Sequence, residues 1–211
     1  SHQLRTPLTA LRLRLERAHD LLETDPSGAA ERLSAAEAEA DRLSNLIEGL
    51  LLLSRTEASH AQREIVDVAA LTRGRIEQWQ ALAAESGVAL GYEGPLSLFV
   101  IAVPNAVEQI VDNYIDNALS VSPAQSVIEV TVRDAGETAV LQVLDRGPGL
   151  SLEECSRAFD RFWRANSDRH GSGLGLAIVE QLARASGGKA WLAPRPDGGL
   201  IASVSFDSSQ N

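Results

Sequence analysis

The chain has 211 residues, 44% of them hydrophobic, and its 29 acidic and 19 basic side chains give a formal net charge of −10. This length allows one large or two small domains, and the acidic charge repels polyphosphate, which excludes nucleic-acid binding as the main activity. No apolar run is long enough for a membrane span or signal segment, and the single cysteine, Cys155, cannot form an internal disulfide, so a cytoplasmic compartment is expected.

The first sixty residues predict a helical hairpin. Apolar residues recur at spacings of four and three on both sides of a turn-forming cluster at residues 25–28. They are Leu4, Leu8, Leu11, Leu15, Ala18 and Leu22, then Leu33, Ala36, Ala40, Leu43, Ile47 and Leu50. Such heptad stripes give each helix one apolar seam. Because two helices bury too little surface to be stable alone, residues 1–60 predict a homodimeric four-helix bundle, with a plain solvated helical pair as the alternative.

From residue 64 onward, predicted helices and strands are interspersed. The helices cover residues 72–86, 105–119 and 174–185. The strands cover residues 64–71, 88–92, 98–103, 127–132, 139–144, 189–193 and 200–206. This order is typical of an α/β two-layer sandwich, which predicts a second domain over residues 64–211. The glycine-rich, charged stretch at 146–172 predicts a loop.

The opening octet, Ser-His-Gln-Leu-Arg-Thr-Pro-Leu, places a nucleophile beside a predicted kink. Neutral His2 is nucleophilic, and its ordinary pKa lies where small shifts change its charge. Thr6 follows four residues later on the same helix face. Pro7 removes the amide that would bond the carbonyl of Gln3. Any one of these residues alone is uninformative, and His2, Gln3 and Thr6 become candidate catalytic residues only through the family resemblance that the full octet carries.

Two asparagines interrupt the apolar pattern of the helix predicted at 105–119. Asn113 and Asn117 are four residues apart, so their side chains share one face. Asparagine disfavours helix interiors, which argues against a purely structural role for both. An amide oxygen is a hard ligand that suits Mg²⁺ bound together with nucleotide phosphates. The pair indicates a nucleotide site.

Three further segments follow in chain order. Asp145 ends a predicted strand and can accept a hydrogen bond from an exocyclic amine, while Gly147 and Gly149 let the backbone approach a flat ring. The segment at 159–164 carries Arg161 and Arg164, which can neutralise phosphate charge; a loop packed on aromatic side chains is the alternative. A glycine-rich helix start attracts phosphate through its amides. It comprises Gly171, Ser172, Gly173, Leu174, Gly175 and Leu176.

Taken in order, these five segments resemble the H, N, G1, F and G2 boxes of sensor histidine kinases, and the octet matches the H box at seven of eight positions. The resemblance implies a HisKA dimerisation and phosphotransfer domain followed by an ATP-binding domain of the GHKL type, the Bergerat fold. It implies autophosphorylation of His2 by ATP and transfer to an aspartate in a response regulator receiver domain. It also implies that Asn117 ligates Mg²⁺, that Asn113 lies beside the phosphates and that Asp145 reads the adenine N6.

Three positions depart from the family pattern. Gln3 stands where the family usually has an acid, and an amide cannot take a proton. Ser120 and Val121 stand where the family often has a lysine followed by an aromatic residue, so one phosphate contact and one adenine-stacking contact are in question. Two alternatives follow. One is a degenerate kinase that acts mainly as a phosphatase or scaffold; the other is a non-kinase GHKL ATPase, against which the H box argues.

The chain contains no methionine and begins inside the H-box motif, so we expect it to be a fragment. An upstream sensor or membrane region is then expected outside it. That would place the full-length protein at the inner or plasma membrane, with the present residues on the cytoplasmic side.

Overall fold

The computed structural model describes residues 12–13, 15–21, 24–30, 32–33, 36, 62–165 and 173–209. The chain divides into two compact units, residues 1–52 and 53–211. In the first unit, the described residues are helical except at the turn at 24–25. The Asp25 carboxylate accepts a hydrogen bond from the amide of Gly28 at 3.0 Å, which caps the helix that follows the turn. The rest of the predicted hairpin lies outside the described residues.

The second unit contains seven strands and four helices among its described residues. The strands are β1 (Glu64–Asp67), β2 (Ala89–Glu93), β3 (Phe99–Ala102), β4 (Val127–Asp134), β5 (Thr138–Leu144), β6 (Ala190–Pro194) and β7 (Leu200–Ser208). The helices are α1 (Val68–Glu85), α2 (Ala106–Val121), α3 (Leu152–Arg157) and α4 (Gly175–Ala185). None of these helices has the length and apolarity needed to cross a bilayer.

The strands form one mixed sheet in the order β1-β3-β7-β5-β4-β2, with β6 also paired to β7. Only β2 and β4 pair in parallel; the other pairings are antiparallel. Along β5, the buried residues Ala139, Leu141 and Val143 alternate with less buried ones, as expected when helices cover one face. Helix α2 packs against both α1 and α4. The predicted two-layer α/β sandwich is confirmed.

Two predictions along this unit are wrong in detail. Strand β1 ends at Asp67 rather than at residue 71, because the Asp67 carboxylate accepts a hydrogen bond from the amide of Ala70 at 3.0 Å and starts α1 at Val68. Helix α3 falls inside the stretch predicted as a loop. Its start carries a capping box, in which the Ser151 hydroxyl accepts from the Glu154 amide and the Glu154 carboxylate accepts from the Ser151 amide.

Polar contacts on both sides fix the rotation of α2. On the α1 side, the Arg75 guanidinium donates to both carboxylate oxygens of Asp112 at 2.7 Å each, and the indole N–H of Trp79 donates to one of them at 2.8 Å. On the sheet side, the buried hydroxyl of Tyr114 donates to the carbonyl of Ser203 at 2.8 Å. These contacts determine where the residue between them, Asn113, points.

Candidate functional site

The asparagine face of α2 meets the beginning of α4. The side-chain amide of Asn113 donates to the carbonyl of Gln109 at 2.7 Å, which leaves its Oδ1 as an acceptor. A Cβ atom added at Gly175 would lie 2.6 Å from that Oδ1, so the two helices approach this closely only because Gly175 has no side chain. Leu174, the N-cap residue of α4, makes no capping hydrogen bond through its own side chain. Asn117, one turn after Asn113, is exposed.

At the C-terminal end of α2, Val121 contacts the loop that follows β5. A Cβ atom at Gly147 would lie 2.7 Å from Cγ2 of Val121, so this glycine lets the loop lie against the helix end. Ser120, the other departure from the family pattern, donates its hydroxyl to the carbonyl of Asn117 at 2.7 Å. One helix therefore joins the two glycine-containing segments that the sequence analysis singled out.

Asp145 is 5% exposed, and backbone amides hold its carboxylate. Oδ1 accepts from the amide of Gly147 at 2.7 Å and from that of Leu200 at 3.3 Å. Burial raises the pKa of the carboxyl group, although these two amides and the charge of Arg195 oppose that shift. Because Oδ1 is engaged by the protein, Oδ2 is the oxygen that we expect a ligand donor to meet.

A backbone hydrogen bond joins the segment at 159–164 to the glycine-rich stretch that begins α4. The amide of Phe162 donates to the carbonyl of Gly173 at 2.8 Å, and both residues have positive φ angles, 66° and 68°. A Cβ atom at Gly173 would lie 2.9 Å from Cα of Phe162, so glycine is required there. Two residues after Phe162, the Nη2 of Arg164 is buried without a hydrogen-bond partner. A buried cationic donor in that state is suited to an anion.

The described site residues lie on α2, at the start of α4 and in the segments that follow β5. They are Asn113, Asn117, Asp145, Gly147, Gly149, Arg164, Gly173, Leu174 and Gly175. Arg161 is exposed beside them in sequence. His2, Gln3, Thr6 and Gly171 lie outside the described residues. Gly199 and Leu200 also contribute to the site, although the Pro-Asp-Gly-Gly sequence before β7 is by itself typical only of a turn.

Two family models match the chain. Residues 1–59 match the His Kinase A (phospho-acceptor) domain, and residues 102–210 match the histidine kinase-, DNA gyrase B- and HSP90-like ATPase. The chain belongs to the sensor histidine kinases. Its second unit therefore contains an ATPase domain of this type, matched over residues 102–210.

Several known histidine kinases are similar to this core. Sensor protein SphS of Synechococcus elongatus is 33% identical over 202 residues, which cover 90% of this chain and 48% of SphS. Among solved structures, full-length ShkA in complex with AMPPNP has a TM-score of 0.72 at 26% identity, covering 100% of this chain and 47% of ShkA. Histidine kinase ThkA in complex with response regulator protein TrrA has a TM-score of 0.77 at 20% identity, covering 99% and 59%. The chain spans about half the length of the curated relatives it matches.

Proposed function

We propose that this chain is the catalytic core of a two-component sensor histidine kinase, which transfers the γ-phosphoryl group of ATP to His2 and then to an aspartate in the receiver domain of a response regulator. The observation that carries the proposal is the combination, in one chain, of a phosphoacceptor-domain match at residues 1–59 with an ATPase-domain match. In the matched ATPase region, the loop after Asp145 lies against the C-terminal end of α2, and the start of α4 lies against Asn113 in the middle of the same helix.

The base of ATP would lie beside the Asp145 loop, and its phosphates would lie beside the start of α4. Oδ2 of Asp145 would accept a hydrogen bond from the 6-amino group of adenine, with Gly147 and Val121 beside the ring. The phosphates would lie at the N-terminus of α4, where backbone amides and the helix dipole favour negative charge. The unpartnered Nη2 of Arg164 supports a phosphate contact from the preceding segment.

In the proposed reaction, an imidazole nitrogen of His2 attacks the γ-phosphorus and ADP departs. Gln3 can accept a hydrogen bond from the ring and orient it but cannot remove its proton, which must pass to water or to a phosphate oxygen. Thr6, one turn from His2, would orient the water that attacks the phosphoaspartate of a docked regulator.

The asparagine face of α2 fits a magnesium ion bound with the nucleotide. Asn113 already donates through its amide nitrogen, so its oxygen is the atom turned to the site, and Asn117 presents a second hard oxygen from an exposed position. We propose Asn117 as a ligand. Bound Mg²⁺ would offset the negative charge that develops on the phosphates.

We also propose that residues 1–60 dimerise and that residues 64–211 form the catalytic domain. Leu15 and Leu33, two positions of the predicted seams, are 45% and 40% exposed, and a second copy would cover them. The complex of ThkA with TrrA supports a receiver domain as the partner. Since the chain spans about half of its relatives, we propose that a sensor or membrane region lies outside it, with this core on the cytoplasmic side.

The test is incubation of the protein with ATP labelled at the γ-phosphate, with Mg²⁺ and with a receiver domain. We expect an acid-labile, alkali-stable label on the protein that passes to the receiver domain. His2→Gln should bind ATP like the unchanged protein and carry no label. Label that survives this substitution would show that His2 is not the acceptor.

A degenerate kinase is the second candidate, because Gln3, Ser120 and Val121 replace the family's usual side chains and the hydroxyl of Ser120 is committed to its own helix. ATP binding without label, accompanied by dephosphorylation of a phosphorylated receiver domain, would favour it. Gln3→Glu should then restore labelling if the missing acid is the cause.

A further inference from the structure

The turn between β6 and β7, residues 195–199, packs on the loop that begins at Asp145. The amide of Asp145 donates to the carbonyl of Leu200 at 3.0 Å. A Cβ atom at Gly199 would lie 2.1 Å from the carbonyl oxygen of Asp145, and one at Gly149 would lie 2.7 Å from the carbonyl oxygen of Gly199. With the Leu200 amide on Oδ1, the amide, carbonyl and carboxylate of Asp145 all meet this turn.

Arg195 ties the turn to β4 and to Asp145 at once. Its side chain is 11% exposed. One guanidinium nitrogen, Nη2, lies 2.7 Å from Oε1 of Glu129 on β4, and Nη1 donates to the carbonyl of Asp145 at 3.3 Å. Its backbone amide donates to the carbonyl of Gly199 at 3.1 Å, which closes the turn. A planar guanidinium held from two directions has little freedom to reorient.

Three charged side chains form a cluster of ion pairs beside Asp145. Arg195 lies in the turn, Glu129 is on β4, and Arg146 follows Asp145 with its Nη2 3.7 Å from Oε1 of Glu129. The hydrogen bond from Arg195 is the main cause that lowers the pKa of Glu129, so Glu129 is ionised near neutral pH. Burial raises the pKa of Asp145, and the charge of Arg195 opposes that shift.

We propose that Arg195, held by Glu129, is a positioning residue that fixes the orientation and charge of Asp145 and thereby sets the preference for a purine with a 6-amino group. This inference rests on the proposed function, since it assumes that Asp145 reads the base. Arg195 itself does not touch the nucleotide. It acts through the carbonyl that it bonds and through the turn that it closes.

The test compares ATP with inosine triphosphate, which carries an oxo group in place of the 6-amino group and so cannot donate to Asp145 from position 6. Calorimetric titration would give both dissociation constants for the unchanged protein, for Arg195→Gln and for Arg133→Gln. The control removes the same charge from an exposed position on β4. We expect Arg195→Gln to weaken ATP binding about tenfold, the order of one charged hydrogen bond. Inosine triphosphate binding should change little, and the control should match the unchanged protein.

The ratio of the inosine triphosphate dissociation constant to the ATP dissociation constant decides the test. If this ratio is the same in Arg195→Gln as in the unchanged protein, the proposal is overturned, whether both constants stay the same or both rise. A purely structural role would change the binding of both nucleotides alike. Glu129→Gln is the second variant if Arg195→Gln does not fold. Glutamine keeps the shape of the Glu129 side chain but removes its charge, so it binds Arg195 less tightly. This variant should reduce the ratio of the two dissociation constants by a smaller factor than Arg195→Gln does. An unchanged ratio would again overturn the proposal. Failure of the unchanged protein to bind ATP would instead overturn the proposed function.

Discussion

The base end and the phosphate end of the candidate nucleotide site are built differently. At the base end, Asp145 is bonded by the amides of Gly147 and Leu200 and by Arg195. At the phosphate end, Nη2 of Arg164 is buried without a hydrogen-bond partner. Within the part of the chain that the structure describes, the acceptor expected to read the base is held by the protein, whereas the cationic donor Nη2 of Arg164, expected to meet a phosphate, is not.

This difference separates specificity from charge neutralisation. A preorganised base end loses little conformational freedom when a ligand binds. A ligand whose hydrogen-bonding groups do not match those of this end therefore binds with lower affinity. The phosphate end gains its missing hydrogen bonds only from the ligand, so it favours any polyphosphate. We therefore expect changes at the base end to alter fold stability and base preference, and changes at the phosphate end to alter affinity for phosphates alone.

The largest effect is expected for Gly199→Ala, which breaks the preorganised end. The new Cβ would meet the carbonyl oxygen of Asp145, at a φ of 104°, so the free energy of unfolding should fall by about 3 kcal/mol or more. Gly198→Ala is the matched control, because its φ is 89° but nothing lies within 4 Å of the added atom. It should cost about 1 kcal/mol, the penalty of the backbone conformation alone. Chemical denaturation measures both, and equal losses would contradict the crowding at Asp145.

Asp145→Asn tests the base end without adding bulk. Its amide can keep the hydrogen bonds on Oδ1 but presents a donor where the 6-amino group also donates. ATP affinity should fall about 10- to 100-fold, the equivalent of one charged hydrogen bond. Titration calorimetry measures this, with Asp134→Asn as the control; that exposed carboxylate accepts only the Gly136 amide in a turn. Unchanged ATP affinity would remove Asp145 from the site.

Arg164→Gln sharpens the contrast from the phosphate end. We expect about tenfold weaker binding of ATP, since one charge-assisted contact is lost, and no change in the binding of adenosine, which has no phosphates. Arg157→Gln, on the exposed side of α3, should leave both unchanged. Adenosine binding that falls as much as ATP binding would show that Arg164 supports the fold and not the phosphates.

The smallest effect is expected from a change of pH, which acts in opposite directions on the ATP affinity and on the free energy of unfolding. Because burial raises the pKa of Asp145, protons bind the folded state more readily than the unfolded state. The contribution of this group to stability is therefore fully present below its unfolded pKa and is lost as the pH rises through the raised folded value.

ATP binding needs the carboxylate, so the affinity should fall as the pH falls through the same raised pKa. The ATP affinity and the free energy of unfolding are measured across mildly acidic pH for the unchanged protein and for Asp145→Asn. The difference between the two proteins removes the contribution of the other carboxylates. Affinity and stability differences that change in the same direction would contradict the assignment.

The roles of the site residues stay predictions that rest on local motifs. The sequence predicted the class of fold because burial follows strand and helix periodicity, as in β5. It failed where a local contact competes with the pattern. Asp67 ends a strand by capping the next helix. The six residues of α3 are too few to show helical periodicity, although the capping-box residues Ser151 and Glu154 can be recognised in the sequence. The support of Asp145 by Arg195 joins residues 50 apart, and only the register of the sheet brings them together.

The position of β7 has a consequence for how the molecule is made. This strand is the last in the chain order, yet it pairs with β3, β5 and β6 and supplies the amide that holds Asp145. A sheet closed by such distant pairings forms slowly, whereas a helical hairpin depends on contacts between neighbours in sequence. During synthesis, the base end can therefore form only after residues 200–208 have left the ribosome. Nucleotide binding is then a property that the kinase core gains late, after its first residues have had time to fold.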